Sequence, residues 1–189
     1  MNLATARNYA EKIIEWIAPD CAEPPIVAGS IRRERPVCND VDIVCIPKIK
    51  VDTDMLGEAI GHRNLLHHRL SLECLSGKGK LINGAESGKM MIIQLRACQL
   101  DLWFATSDTV GTRLLCRTGS MQHNIWLAER AKRMGLHWNP YEGLLLAGSL
   151  LKARSEDEIY ATLGLPYIEP RDRELEFIKR FDRWTPKET

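Results

Sequence analysis

The spacing of apolar residues divides the chain into stretches of different period. Residues 3–17 set Leu3, Ala6, Ala10, Ile13, Ile14 and Ile17 on one face at helical spacing. Pro19, Pro24 and Pro25 end that helix. Ile26-Val27-Ala28 reads as a short buried strand, Gly29-Ser30 as a tight turn, and the β-branched run Val41–Ile46 as a second strand. Met55–Ile60 is predicted helical, and Lys78–Gly88, alternating glycine, lysine and polar residues, a hairpin or exposed loop. Met90–Leu95 and Ala97–Ala105 form two further strands. Helical spacing then returns over Asp108–Cys116 and Ser120–Met134, the latter with Ile125, Leu127, Ala128 and Ala131 facing inward. Short strands are predicted at Leu136–Trp138 and Leu144–Leu146. Ser155-Glu156-Asp157-Glu158 starts a helix in the manner of a capping box, and Gly164 stops it after Leu163. The polar stretch 166–189 offers Phe177, Phe181 and Trp184 as packing anchors. The pattern predicts an α/β (α+β) fold: a mixed sheet with helices to about residue 106, then a mostly helical part.

Composition narrows this little. The 189 residues suffice for one domain or two packed subdomains, and 44% hydrophobic with 27% charged residues is ordinary for a globular chain. The longest apolar runs stop far short of a membrane span. Arg7, Glu11, Lys12 and Glu15 interrupt any signal-peptide core, so an intracellular protein without membrane association is expected. Six cysteines lie scattered with no C-x-x-C pair, which argues against a zinc ribbon and a disulfide framework. The net charge of +1 hides local unevenness. Arg32, Arg33 and Arg35 cluster, and residues 62–89 hold Arg63, Arg69, Lys78, Lys80 and Lys89 against Glu73 and Glu86. Adjacent His67 and His68 read as lining a basic surface rather than holding a metal, and the dispersed tryptophans as packing.

The chemistry lies in Gly29-Ser30, then Asp40-Val41-Asp42, then Leu100-Asp101-Leu102. Residues i and i+2 of a strand share a face, so Asp40 and Asp42 project together. Asp101 sits in a comparable apolar strand able to pair nearby. Converging carboxylates repel and are costly to desolvate, which implies a bound cation, and oxygen-only ligands favour Mg²⁺ or Mn²⁺. Gly29-Ser30 offers backbone N–H groups and a hydroxyl to phosphate, with Arg32 and Arg33 as cationic clamps.

Gly29-Ser30 with Asp40-Val41-Asp42 matches the polymerase-beta-like nucleotidyltransferases, and GSIRRERPVCNDVDIVCIP resembles the family X DNA polymerases in particular. TGSMQHNIWLAERAKRMGLHWNPYEGLLL and SEDEIYATLGLPYIEPRDRE resemble the same family, so the likeness spans about residues 24–175. The resemblance implies an N-terminal helix over 1–23, a palm over 24–106 and a nucleotide- and template-binding subdomain over 107–189. It implies a two-metal site in which Asp40 and Asp42 hold both ions and Asp101 holds the catalytic one. Nucleotide contacts would come from Gly29, Ser30, Arg33, Asn39, Cys116, Arg117, Thr118, Gly119, Met121 and Asn124. DNA contacts would come from Lys78, Lys80, Arg130 and Arg133, while Arg32 is structural or forms a conformational ion pair.

Three departures stand out. Cys116 and Arg117 replace two aromatic residues that crowd a ribose 2′-hydroxyl in many members, Met121 replaces an acid, lysine or alanine, and Ala128 takes a place often held by a template-contacting arginine. Only about 24 residues precede the palm-like segment, so no helix-hairpin-helix lyase module is expected, as in small viral members. The expected protein is a monomeric DNA polymerase that fills short gaps in repair, acting on DNA and a nucleoside triphosphate with two Mg²⁺, for which Mn²⁺ can substitute. The alternatives are template-independent, ribonucleotide or small-molecule nucleotidyl transfer, a toxin-like nucleotidyltransferase, or a non-catalytic DNA-binding module.

Overall fold

In the computed structural model, residues 1–84, 88–139 and 142–174 are described. Phe177, Phe181 and Trp184 lie outside them. Helix α1 (Leu3–Ile17) starts at Asn2, whose side chain accepts from the Thr5 N–H, and buries Ala6, Ala10, Ile13 and Ile17 as its spacing demands. A 3₁₀ turn containing Pro19 ends it. Strand β1 (Ile26–Val27) follows, and at 38% exposure Ile26 is not the buried residue its run suggests, because β1 is an edge strand. Gly29-Ser30 is not an isolated tight turn either. It opens the four-residue helix α2 (Gly29–Arg32), whose first residue lies against the Asp42 carboxylate.

Strand β2 (Asp40–Cys45) buries Val41, Ile43, Val44 and Cys45. The run predicted helical at Met55–Ile60 is instead the tip and return of a ribbon, β3 (Ile49–Thr53) against β4 (Ala59–Asn64). Asp54 Oδ1 accepts from the Leu56 and Glu58 N–H groups, closing the turn that the apolar pair Met55-Leu56 disguised. Helix α3 (Leu65–Leu75), capped by Asn64, has no counterpart in the sequence reading. Strands β5 (Lys80–Asn83), β6 (Met90–Gln94) and β7 (Gln99–Phe104) complete a mixed five-stranded sheet of order β1-β2-β7-β6-β5, with β2 and β7 parallel and all other pairs antiparallel. β5 places the 78–88 segment's first half in the sheet as its exposed edge.

Helices α4 (Val110–Thr118) and α5 (Met121–Arg133) follow. In α5 the buried face is His123, Trp126, Leu127 and Ala131, whereas Ile125 is 51% exposed, contrary to its predicted inward position. A three-stranded meander of β8 (Leu136–Asn139), β9 (Gly143–Leu146) and β10 (Ser149–Leu151) adds one strand the apolar pattern did not show. Helix α6 (Glu156–Thr162) is capped by Ser155, and Gly164 ends it at φ +61°. The apolar interior forms one cluster between α1, α3 and the five-stranded sheet, and another among α4, α5, α6 and the meander. A third joins them through Ala28, Val44, Trp103, Val110 and Leu114. No described helix is long and apolar enough to cross a membrane.

Candidate active site

The parallel pairing of β2 with β7 sets Asp42 directly beside Asp101, and Asp40 beside Gln99. Alternation along each strand then puts Asp40, Asp42, Gln99, Asp101 and Trp103 on one face, a placement that two-residue periodicity alone dictates. Burial pushes the Asp42 carboxyl up to about 7, against a 3.0 Å hydrogen bond donated by Trp103 Nε1, with Asp40 and Asp101 adding repulsion. Burial also raises Asp101, whose Oδ1 accepts from Gln99 Nε2 at 2.8 Å. Arg117 lays its guanidinium 3.5 Å from the centre of the Trp103 ring and offsets part of this negative charge.

The neighbouring cradle is fitted to the carboxylates. Gly29 has φ +59°, and a Cβ there would lie 2.0 Å from Asp42 Oδ2, so only glycine lets the carboxylate nest against the start of α2. Ser30 Oγ is buried without a protein partner among the described residues, and Asn39 is exposed. An orphaned hydroxyl beside raised-pKa carboxylates fits an incoming anion with its cations. The carboxylates are not closed on an ion-sized point. Among the described residues no three His, Cys, Asp or Glu side chains stand ready to hold a metal, because Asp42 is turned to Trp103 and Asp101 to Gln99. The donor set of oxygens suits Mg²⁺ after those side chains rotate.

The remaining predicted residues divide between this face and structural duties. Thr118 is fully buried, its Oγ1 accepting from Arg32 Nη1 at 2.7 Å and its carbonyl from Arg33 Nη1. Gly119 follows at φ +70° with a cis peptide to Ser120, and a Cβ there would stand 3.2 Å from Arg33 Nη1. Arg33 also donates to Glu174 at 3.0 Å. Asn124 Nδ2 donates to the carbonyl of half-buried Cys116, while Met121 projects at 68% exposure. Of the basic residues assigned to DNA, Lys78 pairs with Glu73, Lys80 is exposed on β5, and Arg133 donates to the Glu129 carbonyl. Arg130 donates to the Leu163 carbonyl, bracing α5 against the end of α6.

Sequence reading missed two features. Trp103 and Gln99 stand two residues either side of Asp101, and strand alternation was signal enough to find them. Glu156, read only as a helix start, is buried between two arginines. It takes paired hydrogen bonds from Arg32 at 2.7 Å and from the fully buried Arg173 at 2.7 and 3.1 Å, which hold its carboxyl down at about 2 despite burial. Arg32 therefore forms the ion pair expected of it, joining the sheet to α6.

Residues 113–174 match the family model for the DNA polymerase beta thumb. The chain is 29% identical over 148 residues to the DNA polymerase/3′-5′ exonuclease PolX of Bacillus subtilis, an alignment covering 78% of this chain and spanning 24% of that protein's length. Two Leishmania infantum polymerase beta structures share its fold. A ternary P/T complex has TM-score 0.64 and 21% identity, covering 92% of this chain and 76% of that one. A ternary gap complex has TM-score 0.67 and 19% identity, covering 92% and 70%. The chain is thus similar to the DNA polymerase beta thumb over residues 113–174, to PolX over 148 residues, and to polymerase beta in its fold.

Proposed function

We propose that this chain is a DNA polymerase that joins a nucleotide to a DNA 3′-hydroxyl with release of pyrophosphate, acting on short gaps in repair. The observation that carries this reading is the in-register pair Asp42 and Asp101, both raised in pKa, beside a glycine whose missing side chain admits the Asp42 carboxylate. Support for DNA as the acceptor comes from relatives named as DNA polymerases, one solved in ternary primer–template-type and gap complexes.

In this reading Asp40 and Asp42 would hold two Mg²⁺ ions, and Asp101 would help hold the catalytic one. When bound, the ions lower the pKa of the attacking hydroxyl and neutralise charge on the transferring phosphoryl group. Gly29 and Ser30 present N–H groups and a hydroxyl to the triphosphate, and Arg33 turns from Glu174 to meet it. Gly119 lets backbone approach the sugar, Asn124 faces the base edge, and Met121 packs on the base. Cys116 and Arg117 border the sugar, while Lys78, Lys80 and Arg133 meet the DNA backbone as point charges. Arg130, already tied to Leu163, braces the helix rather than gripping DNA.

Primer extension on a one-nucleotide-gapped duplex tests this, with each dNTP and rNTP offered separately under Mg²⁺ or Mn²⁺. Insertion directed by the template base and lost in Asp101→Ala is the expected result. Untemplated addition would make the chain a terminal transferase, and no extension at all would overturn the reading.

A further inference from the structure

Strand register alone brings the Trp103 indole to the acids. Asp42 pairs with Asp101 across the parallel strands and Val44 pairs with Trp103, so Trp103 stands diagonally across from Asp42 on their shared face. The body of the ring is core: it packs in the apolar cluster of Ala28, Val44, Ala105, Val110 and Leu114 and is 7% exposed. The ring nitrogen has a separate requirement. An indole N–H is a donor only, and a donor this deep needs an acceptor. The acceptor it has taken is Asp42 Oδ1 at 3.0 Å, while Asp42 Oδ2 fills the space that a side chain at Gly29 would need.

Both acids of the in-register pair are held from β7 by a neutral donor. Gln99, two residues before Asp101, donates to Asp101 Oδ1 at 2.8 Å, and Trp103, two residues after it, donates to Asp42. A neutral donor stabilises a carboxylate less than a charged one does. Each of these hydrogen bonds is therefore one that a divalent cation outcompetes, since charge attracts charge more strongly than a dipole does at equal distance. Packing accounts for the ring but not for its polar edge, because phenylalanine would fill the same apolar slot and leave Asp42 free. The ring is also pinned. Arg117, in the last turn of α4, holds its guanidinium 3.5 Å from the ring centre, and its charge bears on both Asp42 and Asp101. The next residue, Thr118, is gripped by Arg32 and Arg33, which fixes the end of the helix from which Arg117 reaches the ring.

We propose that Trp103 is a positioning residue that keeps Asp42 in a metal-free orientation, with Arg117 holding the indole in place, and that a divalent cation binds by taking Asp42 from it; the inference rests on the polymerase reading. Release gives up one hydrogen bond to a neutral donor and turns the indole N–H over to water. Trp103 thus opposes metal binding, and its removal improves affinity. A residue that supported the metal-bound carboxylate from behind would have the opposite effect, because its removal would loosen the ligand.

The test uses the full chain with metal alone, without nucleotide or DNA. In a nitrogen–proton correlation spectrum, the Trp103 indole N–H, assigned in the parent protein, should shift as Mg²⁺ is added and exchange faster with water. Asp42→Asn should abolish that response. Trp103→Phe should bind Mn²⁺ about tenfold more tightly, read by electron paramagnetic resonance at a pH where Asp42 carries no proton in either protein. The Mg²⁺ concentration for half-maximal gap extension should fall with it. Arg117→Gln should speed exchange of the indole N–H before any metal is added, and an unmoved rate overturns the role given to Arg117. Weaker or unchanged Mn²⁺ binding by Trp103→Phe overturns the inference. So does an indole resonance that Mg²⁺ leaves in place while Mn²⁺ binds, an arm that needs no substituted ring should phenylalanine fail to fold. If the parent extends the gap while its indole ignores Mg²⁺, the role of Trp103 alone falls. If the indole follows Mg²⁺ but no gap is extended, the polymerase reading alone falls.

Discussion

The half-buried carboxylate of Asp42 and the buried one of Glu156 are treated in opposite ways. Asp42 sits on the sheet with two other acids, one indole N–H and a guanidinium held at a distance by stacking, and its carboxyl is raised to about 7. Glu156 sits between Arg32 and Arg173 with each oxygen receiving charged donors, and its carboxyl is lowered to about 2. Burial penalises both ions, and what differs is compensation. The chain supplies Glu156 with everything it needs, as a residue kept for architecture requires. It leaves the acid cluster short of positive charge, as a site completed by something brought from solution requires.

The sharpest way to break this contrast is to remove one member of each. Asp101→Asn should lower extension by about 10⁴-fold, on the order of 5 kcal/mol of barrier, while leaving folding intact. Single-nucleotide insertion with circular dichroism in parallel would check both. A variant that keeps its rate would mean the acids are not the reacting centre. Glu156→Gln should do the reverse and cost about 3–5 kcal/mol of stability, because two arginines, one of them fully buried, lose their counter-ion. Urea unfolding measures it, and a loss below about 1 kcal/mol would place the Arg–Glu–Arg group among ordinary surface ion pairs.

These two regions were not equally legible in the sequence. The acid cluster needed only strand periodicity, since Asp40 and Asp42 must share a face and Asp101 lies in the neighbouring apolar run. Trp103 and Gln99 were available by the same rule. The Arg–Glu–Arg group was opaque, because Glu156 and Arg173 lie 124 and 141 positions from Arg32 and in polar stretches where burial leaves no hydrophobic period. Met55–Ile60 misled because a hairpin tip carried an apolar pair, with the turn fixed by Asp54 just outside the run. Ile125 misled because α5 buries the polar His123 and Trp126 with Leu127 and Ala131: the last two face inward as expected, while Ile125 lies outside the stripe and Ala128 at its margin.

A smaller effect sharpens the contrast in the other direction. A carboxyl whose folded pKa is raised contributes its stability below the unfolded value, here 3.8, and loses it as pH rises through about 7. With metal chelated, the protein should therefore be less stable at pH 8 than at pH 6, and Asp42→Asn should recover about 3 kcal/mol at the higher pH. Thermal unfolding in EDTA across that range reads it. No gain at pH 8 would mean that Trp103 and Arg117 already satisfy the carboxylate, and the site would lose its claim to an absent cation.

The smallest effect concerns the well-compensated side, where His123 is fully buried with Nε2 against the Tyr160 hydroxyl at 2.8 Å. Burial pushes its imidazole down to about 3, and the positive charge of Arg173 adds to that. The folded state thus refuses a proton that the unfolded chain accepts near 6.5. Stability from this residue is fully present above 6.5 and is lost as pH falls toward 3, about 2 kcal/mol of it by pH 5. Glu156 works in a lower window, its stability present above about 4.5 and lost only as pH falls toward 2. The two can therefore be separated in a single acid titration. His123→Gln, which keeps a partner for Tyr160, should flatten the slope between pH 7 and pH 5 and leave the steeper loss below 4.5 in place. A slope unchanged between pH 7 and pH 5 would assign the acid sensitivity to exposed groups, and the acid response of this region would then rest on the Arg32–Glu156–Arg173 ion pairs alone.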